Sequence, residues 1–111
     1  MPSEVRHLMF RTAEIVSAMQ AYYRRLGRPL SSGLVSGCAM EGDGVAAPIQ
    51  LRLLLHGDAS SGVAQEVQVD DVTLTAALIM LCRDNRVPLP ARAQKSLQRV
   101  GEHLCLVATL A

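Results

Sequence analysis

A chain of 111 residues, half of them hydrophobic, is sized for one domain with a core of its own, spanning 1–111. Phe10, Tyr22 and Tyr23 are its only aromatic residues and it has no tryptophan, so the core must be aliphatic and the stacking platforms that hold unpaired bases are scarce. A net charge of +1 excludes a polyanion-binding field spread over the whole chain.

Residues 1–11 fit a flexible tail, a short strand or a helix extension through Val5, Leu8 and Met9. Glu4, Arg6, His7 and Arg11 interrupt any apolar run there, so no secretory signal is expected. Thr12 reads as an N-cap with Glu14 in the favourable first turn. Ile15, Val16, Met19, Tyr22, Tyr23 and Leu26 then recur at helical spacing, and Gly27 and Pro29 end the pattern. The spacing predicts a helix over 12–26.

Residues 33–40 are small and tolerate a strand, and Glu41-Gly-Asp-Gly signals a turn. After Pro48, Ile49, Leu51, Leu53 and Leu55 alternate with Gln50, Arg52 and His56, the pattern of a half-buried antiparallel strand; Leu54 is its one break. A loop at 57–62 leads to a strand predicted over 63–69, with Val67 and Val69 inward and Glu66, Gln68 and Asp70 outward.

Asp70 or Asp71 caps a second predicted helix. Leu74, Ala77, Leu78, Leu81 and Cys82 form its apolar face, and Ile79 and Met80 broaden it. The β-branched Val72, Thr73 and Thr75 favour a strand instead, but segment length and the alanine pair favour helix. Asn85 can end the helix, and Pro88 and Pro90 enforce an extended turn. Pro90 suits a first helical position, which predicts a third helix over 90–100 with Ala93, Leu97 and Val100 inward. In the last segment Leu104, Leu106, Ala108 and Leu110 alternate with His103, Cys105, Val107 and Thr109, a central strand apolar on both faces. The expected fold is α+β, a small antiparallel or mixed sheet of three to four strands packed against three helices in the order α-β-β-β-α-α-β.

Residues 13–33 align at a fixed offset with 72–92, matching Ala18 with Ala77, Arg24 with Arg83, Pro29 with Pro88 and Leu30 with Leu89. Shared helix–turn chemistry suffices to explain so few identities.

Charge is distributed unevenly. The five arginines of 1–37 face two glutamates, 38–75 holds six acids against Arg52, and 76–111 is again basic. Arg83, Arg86, Arg92, Lys95 and Arg99 form the candidate polyanion-binding set: Arg92, Lys95 and Arg99 share one face of the predicted third helix, and the other two flank the proline turn. A solvated helix face is the competing reading. The loop at 85–90 contains no glycine, so it lacks the G-x-x-G signature of the KH nucleic-acid module, which the predicted order resembles only in part.

The three cysteines, Cys38, Cys82 and Cys105, are widely spaced, which suits reduced core thiols in a cytoplasm rather than a disulfide framework. His103-x-Cys105 is the only close pair of metal-ligand types, short of a structural metal site. Cys38, His56 and Asp58 are ingredients of nucleophilic catalysis without a signature around them. No catalytic residue, metal or cofactor is assigned. The excess apolar surface of the second helix and last strand marks Ile79, Met80, Cys105 and Val107 as candidate interface. The expectation is a cytosolic, non-enzymatic, self-associating protein–protein interaction domain with no membrane partner; the alternative is nucleic-acid or polyanion binding through 83–99.

Overall fold

A computed structural model describes residues 4–27, 34–56 and 64–110. The turn expected at Pro29 and Leu30, the loop at 57–62, and Val63 lie outside the described residues. The elements are β1 (Glu4–Phe10), α1 (Thr12–Arg25), β2 (Leu34–Glu41), β3 (Gln50–His56), β4 (Ala64–Val69), α2 (Asp71–Asp84), β5 (Gln94–Val100) and β6 (His103–Leu110). They build two antiparallel three-stranded sheets, ordered β1-β6-β5 and β2-β3-β4.

The fold is α+β as expected, but the single sheet and third helix are corrected: among the described residues there are two sheets and two helices, in the order β-α-β-β-β-α-β-β. Residues 4–10 form β1 rather than a tail or helix extension. Residues 90–93 form a turn closed by Ala93 N–H donating to the Pro90 carbonyl at 3.1 Å, and β5 follows. Pairing explains the difference. Gly101 takes a positive φ of 61°, so Val100 and His103 close a two-residue hairpin and β5 zips along β6. Hairpin pairing overrides a helical propensity that is only a weak prior.

The cap of α1 also moves by one residue. Arg11 is the N-cap, and its N–H donates to Glu14 Oε1 at 3.0 Å. Asp70 caps α2 by accepting from Thr73 N–H at 2.8 Å, so 71–84 is helical despite its β-branched start.

The chain is a tandem repeat. β1-α1-β2-β3 and β4-α2-β5-β6 have the same order, and the two helices have equal length and start 59 positions apart. The correspondence extends residue by residue. Phe10 and Val69 are buried strand ends, Arg11 and Asp70 are N-caps, and the pairs Ile15/Leu74, Ala18/Ala77 and Met19/Leu78 are fully buried. Gly27 and Arg86, just past the two helices, both have positive φ, as do Gly42 and Gly101 at the two hairpin turns. The offset then falls to 53, because Cys38 pairs with Leu53 whereas Leu97 pairs with Leu106. The first hairpin is thus six residues longer.

The repeats exchange their first strands. β1 pairs with β6 of the second repeat, Leu8 opposite Leu106, and β4 pairs with β3 of the first, Val67 opposite Leu53. Neither repeat completes its own sheet. The inner sheet faces and both helices share one aliphatic core, in which Ile15, Met19, Leu53, Leu74, Leu78 and Leu106 are inaccessible to solvent. No helix of the described residues is long and apolar enough to cross a membrane.

Candidate functional site

The two sheets present contrasting outer faces. In β1-β6-β5, Leu104 and Leu106 point into the core, which turns Cys105 and Val107 the other way. Cross-strand pairing sets Met9 beside Cys105, His7 beside Val107 and Val5 beside Thr109, while Gln98 and Ser96 flank from β5. The three strands place no Asp, Glu, Lys or Arg side chain on this face; His103 also lies on it beside Val100, and Arg11 and Glu14 border it at Met9. Cys105 and Val107 are themselves covered, and Val5, Met9 and Val100 are about half exposed around them. The other outer face is charged. Arg52, in the middle of β3, pairs with Glu41 at 2.7 Å and approaches Glu66 at 3.8 Å.

A second feature is a trough between α2 and β5, made of two adjoining cavities of about 440 and 330 Å³ that share Ile79 and Lys95. The larger is apolar along Val72, Ala76, Ile79 and Leu97, with Asp71 at its rim. The smaller is lined by Arg83, Arg86 and Lys95 over Val87, Pro88 and Leu89, with no acidic residue in its wall. Arg83 and Arg86 are exposed and form no ion pair among the described residues. Lys95 Nζ donates to the Ala93 carbonyl at 3.1 Å.

The six extra residues of the first hairpin, 43–48, close the far end of the trough. Asp43 Oδ1 accepts from the N–H groups of Val45 and Ala46 at 2.8 Å and of Ala47 at 3.2 Å, which folds the loop and holds the Asp43 carboxyl below its ordinary range. The loop docks on the free edge of β5: Arg99 N–H donates to the Asp43 carbonyl at 3.1 Å, and Gly44 sits against the Leu97 carbonyl.

The candidate residues separate accordingly. Ile79 and Met80 are half-buried on α2, and Ile79 lines the trough; Cys105 and Val107 face out of the sheet's opposite side, so the four do not form one patch. Of the five cations, Arg83, Arg86 and Lys95 converge on the trough. Arg92 lies in the turn before β5 and does not line it. Arg99 is exposed and spends its guanidinium on the carbonyls of Gly101 at 3.2 Å and Met40 at 3.1 Å. The shared helical face of Arg92, Lys95 and Arg99 is corrected with the helix itself: Lys95 and Arg99 share a strand face with Leu97 between them.

Burial raises the thiol pKa of Cys38, Cys82 and Cys105. Cys105 Sγ lies 3.6 Å from His7 Nδ1, and no third ligand-type side chain joins them among the described residues. Asp58, named with Cys38 and His56, is outside the described residues. Sequence reasoning missed Val5, Met9 and Val100, which come onto one sheet face only through strand pairing, and the 43–48 loop, whose length against the second hairpin was the available signal. No family model, curated protein or solved structure matches the chain.

Proposed function

We propose that this chain is a non-enzymatic protein–protein interaction module that pairs with a second copy of itself across the outer face of the β1-β6-β5 sheet. The observation that carries the reading is the absence of Asp, Glu, Lys and Arg from the strands of that face, with Val5, Met9 and Val100 half exposed on it and Arg11 and Glu14 only at its end, beside a second sheet bearing Glu41, Arg52 and Glu66. A two-fold contact sets a surface against itself, so any charge near the axis meets its like. An uncharged face escapes that penalty. Two such sheets can stack about 10 Å apart, with Gln94, Ser96, Gln98 and Thr109 as a polar rim.

Sedimentation equilibrium from about 10 µM to about 1 mM tests it, since a Kd inside that range is worth roughly 4–7 kcal/mol. The expected result is a dimer that Met9→Lys and Val5→Lys convert to monomer without changing the circular dichroism spectrum. A wild-type monomer throughout, or a dimer indifferent to both changes, would overturn the reading.

The polyanion alternative is supported only in reduced form. Three cations converge instead of five, which suits a compact anionic group better than a strand of phosphates.

A further inference from the structure

We infer that the trough between α2 and β5 is a docking site for an extended acidic peptide segment, which adds to the free edge of β5 and delivers a carboxylate to Arg83, Arg86 and Lys95. The site lies at the β5 edge of the β1-β6-β5 sheet, adjoins the self-association face at Ser96, and does not rest on that reading.

The first support is the strand edge. In an antiparallel ladder the main-chain groups of alternate residues point to the same side. The tight turn after Val100 commits Val100, Gln98, Ser96 and Gln94 to β6, which directs Arg99, Leu97 and Lys95 to the opposite side. That edge already accepts added chain, since Arg99 N–H is paired with the Asp43 carbonyl. The Leu97 carbonyl is covered by Gly44. Beyond it, the N–H groups of Leu97 and Lys95 have no hydrogen-bond partner among the described residues, and both residues line the trough. An antiparallel segment can exchange two hydrogen bonds with Lys95 and accept a third from Leu97. This is strand addition, with main-chain bonds giving affinity and alternate side chains giving specificity.

The second support is the wall opposite. Alternate side chains of an added strand point toward α2, where Val72, Ala76 and Ile79 offer an apolar surface. The third is charge. The basic end has three cations and no acid, so a carboxylate placed there forms charge-assisted bonds without displacing an existing partner.

The fourth is an asymmetry between the repeats. At the position just past the helix the first repeat has Gly27 at φ 71°, whereas the second has Arg86 at φ 58°, a conformation that L side chains rarely adopt. Arg86 is held there by its N–H donating to the Arg83 carbonyl at 3.2 Å and by Val87 N–H donating to the Cys82 carbonyl at 2.8 Å. Glycine would relieve the conformation, and an arginine is there instead, its side chain in the basic wall.

The test is selection from a displayed library of random decapeptides against the full chain. The expected ligands share an apolar residue and, beyond it, an acid. They lose about two- to tenfold in affinity when the one amide that donates to the Lys95 carbonyl is N-methylated, because that ladder bond is removed, and nothing when the next amide along is methylated. Arg83→Glu with Arg86→Glu should cost at least about tenfold as well, by reversing the charge the ligand meets. Arg86→Gly should weaken binding without lowering the melting temperature, which separates loss of the side chain from loss of fold. No enrichment over uncoated matrix, ligands indifferent to the double reversal, or ligands indifferent to N-methylation would each overturn the proposal. So would a labelled thymidine 20-mer that binds more tightly than the selected peptides, which would assign the cations to a nucleic acid.

Discussion

The guanidinium of Arg99 donates to the main-chain carbonyl of Met40 at 3.1 Å, and these two residues occupy the same position in the two repeats. The same holds for Arg25 and Asp84, the last residues of α1 and α2, whose side chains pair at 2.8 Å. Contacts between equivalent positions occur where a pseudo-two-fold axis passes. Exposed pairs of this kind contribute little to stability, so they mark the axis more than they hold it. The exchange of β1 and β4 and the shared core join the repeats.

Strand exchange predicts unfolding as one unit. Leu106 is buried in β6 opposite Leu8 of the other repeat, and Leu53 is its counterpart opposite Val67. Leu106→Ala and Leu53→Ala should each cost about 2–5 kcal/mol, the range for a buried leucine that leaves a cavity. Urea unfolding followed by far-ultraviolet circular dichroism and by tyrosine fluorescence should give one shared midpoint, shifted down, in both variants. Tyr22 and Tyr23, the only tyrosines, both belong to α1 of the first repeat, so a Leu106→Ala transition that splits between the two signals would show that the repeats fold separately.

The longer first hairpin is held by a close approach. Gly44 has φ 85°, and a Cβ there would collide with the Leu97 carbonyl. Gly44→Ala therefore meets two obstacles, a strained backbone worth about 1–3 kcal/mol and a steric overlap. The loop should lift from β5 rather than the domain unfold, because Val45 and its neighbours are exposed and contribute nothing to the core. Hydrogen exchange at the Arg99 amide, the donor to Asp43, should accelerate while the Leu106 amide stays protected. An Arg99 amide as slow as in the parent would mean that the loop is not held by this contact.

Much of this was legible in the sequence, and what was not has physical causes. α1, α2, β3 and β6 announce themselves because each buries a periodic apolar face in the shared core; residue type narrows the α2 cap to Asp70 or Asp71, and the bond from Thr73 N–H selects Asp70. β1 was obscure because Val5 and Met9 face outward while Arg6 lies on the inner side and reaches the Pro88 carbonyl at 3.1 Å, so hydrophobicity does not follow the pleat. β5 was misread because Pro90 and a run of good helix formers imitate a helix start, whereas its conformation is decided by β6. The repeat showed only at its helix–turn segment. Beyond Gly42 the six extra residues shift the register, so β3 and β6 do not align at the offset that matches the helices. The trough inherits all three difficulties, since β5, the inserted loop and the positive φ of Arg86 are each set by tertiary structure.

Acid should destabilise the protein through two named carboxylates. The Asp43 carboxyl is held below its ordinary range by main-chain N–H bonds from Val45, Ala47 and Ala46, and Asp70 by the side-chain and main-chain hydrogen bonds of Thr73. A folded-state pKa below the unfolded value, about 3.9 for aspartate, means that the unfolded chain binds more protons in the window between them. The stabilisation is then complete above roughly pH 5 and is lost as pH falls through the folded-state pKa values. The melting temperature should hold level from about pH 7 to about pH 5 with respect to these groups and decline below about pH 4. Asp70→Asn keeps a capping oxygen without a titrating proton, and Asp43→Asn does the same for the loop. The double variant should lose less of its melting temperature between pH 5 and pH 3 than the parent does. An equal loss in both would move the acid sensitivity to other carboxylates and leave these two bonds without a role in it.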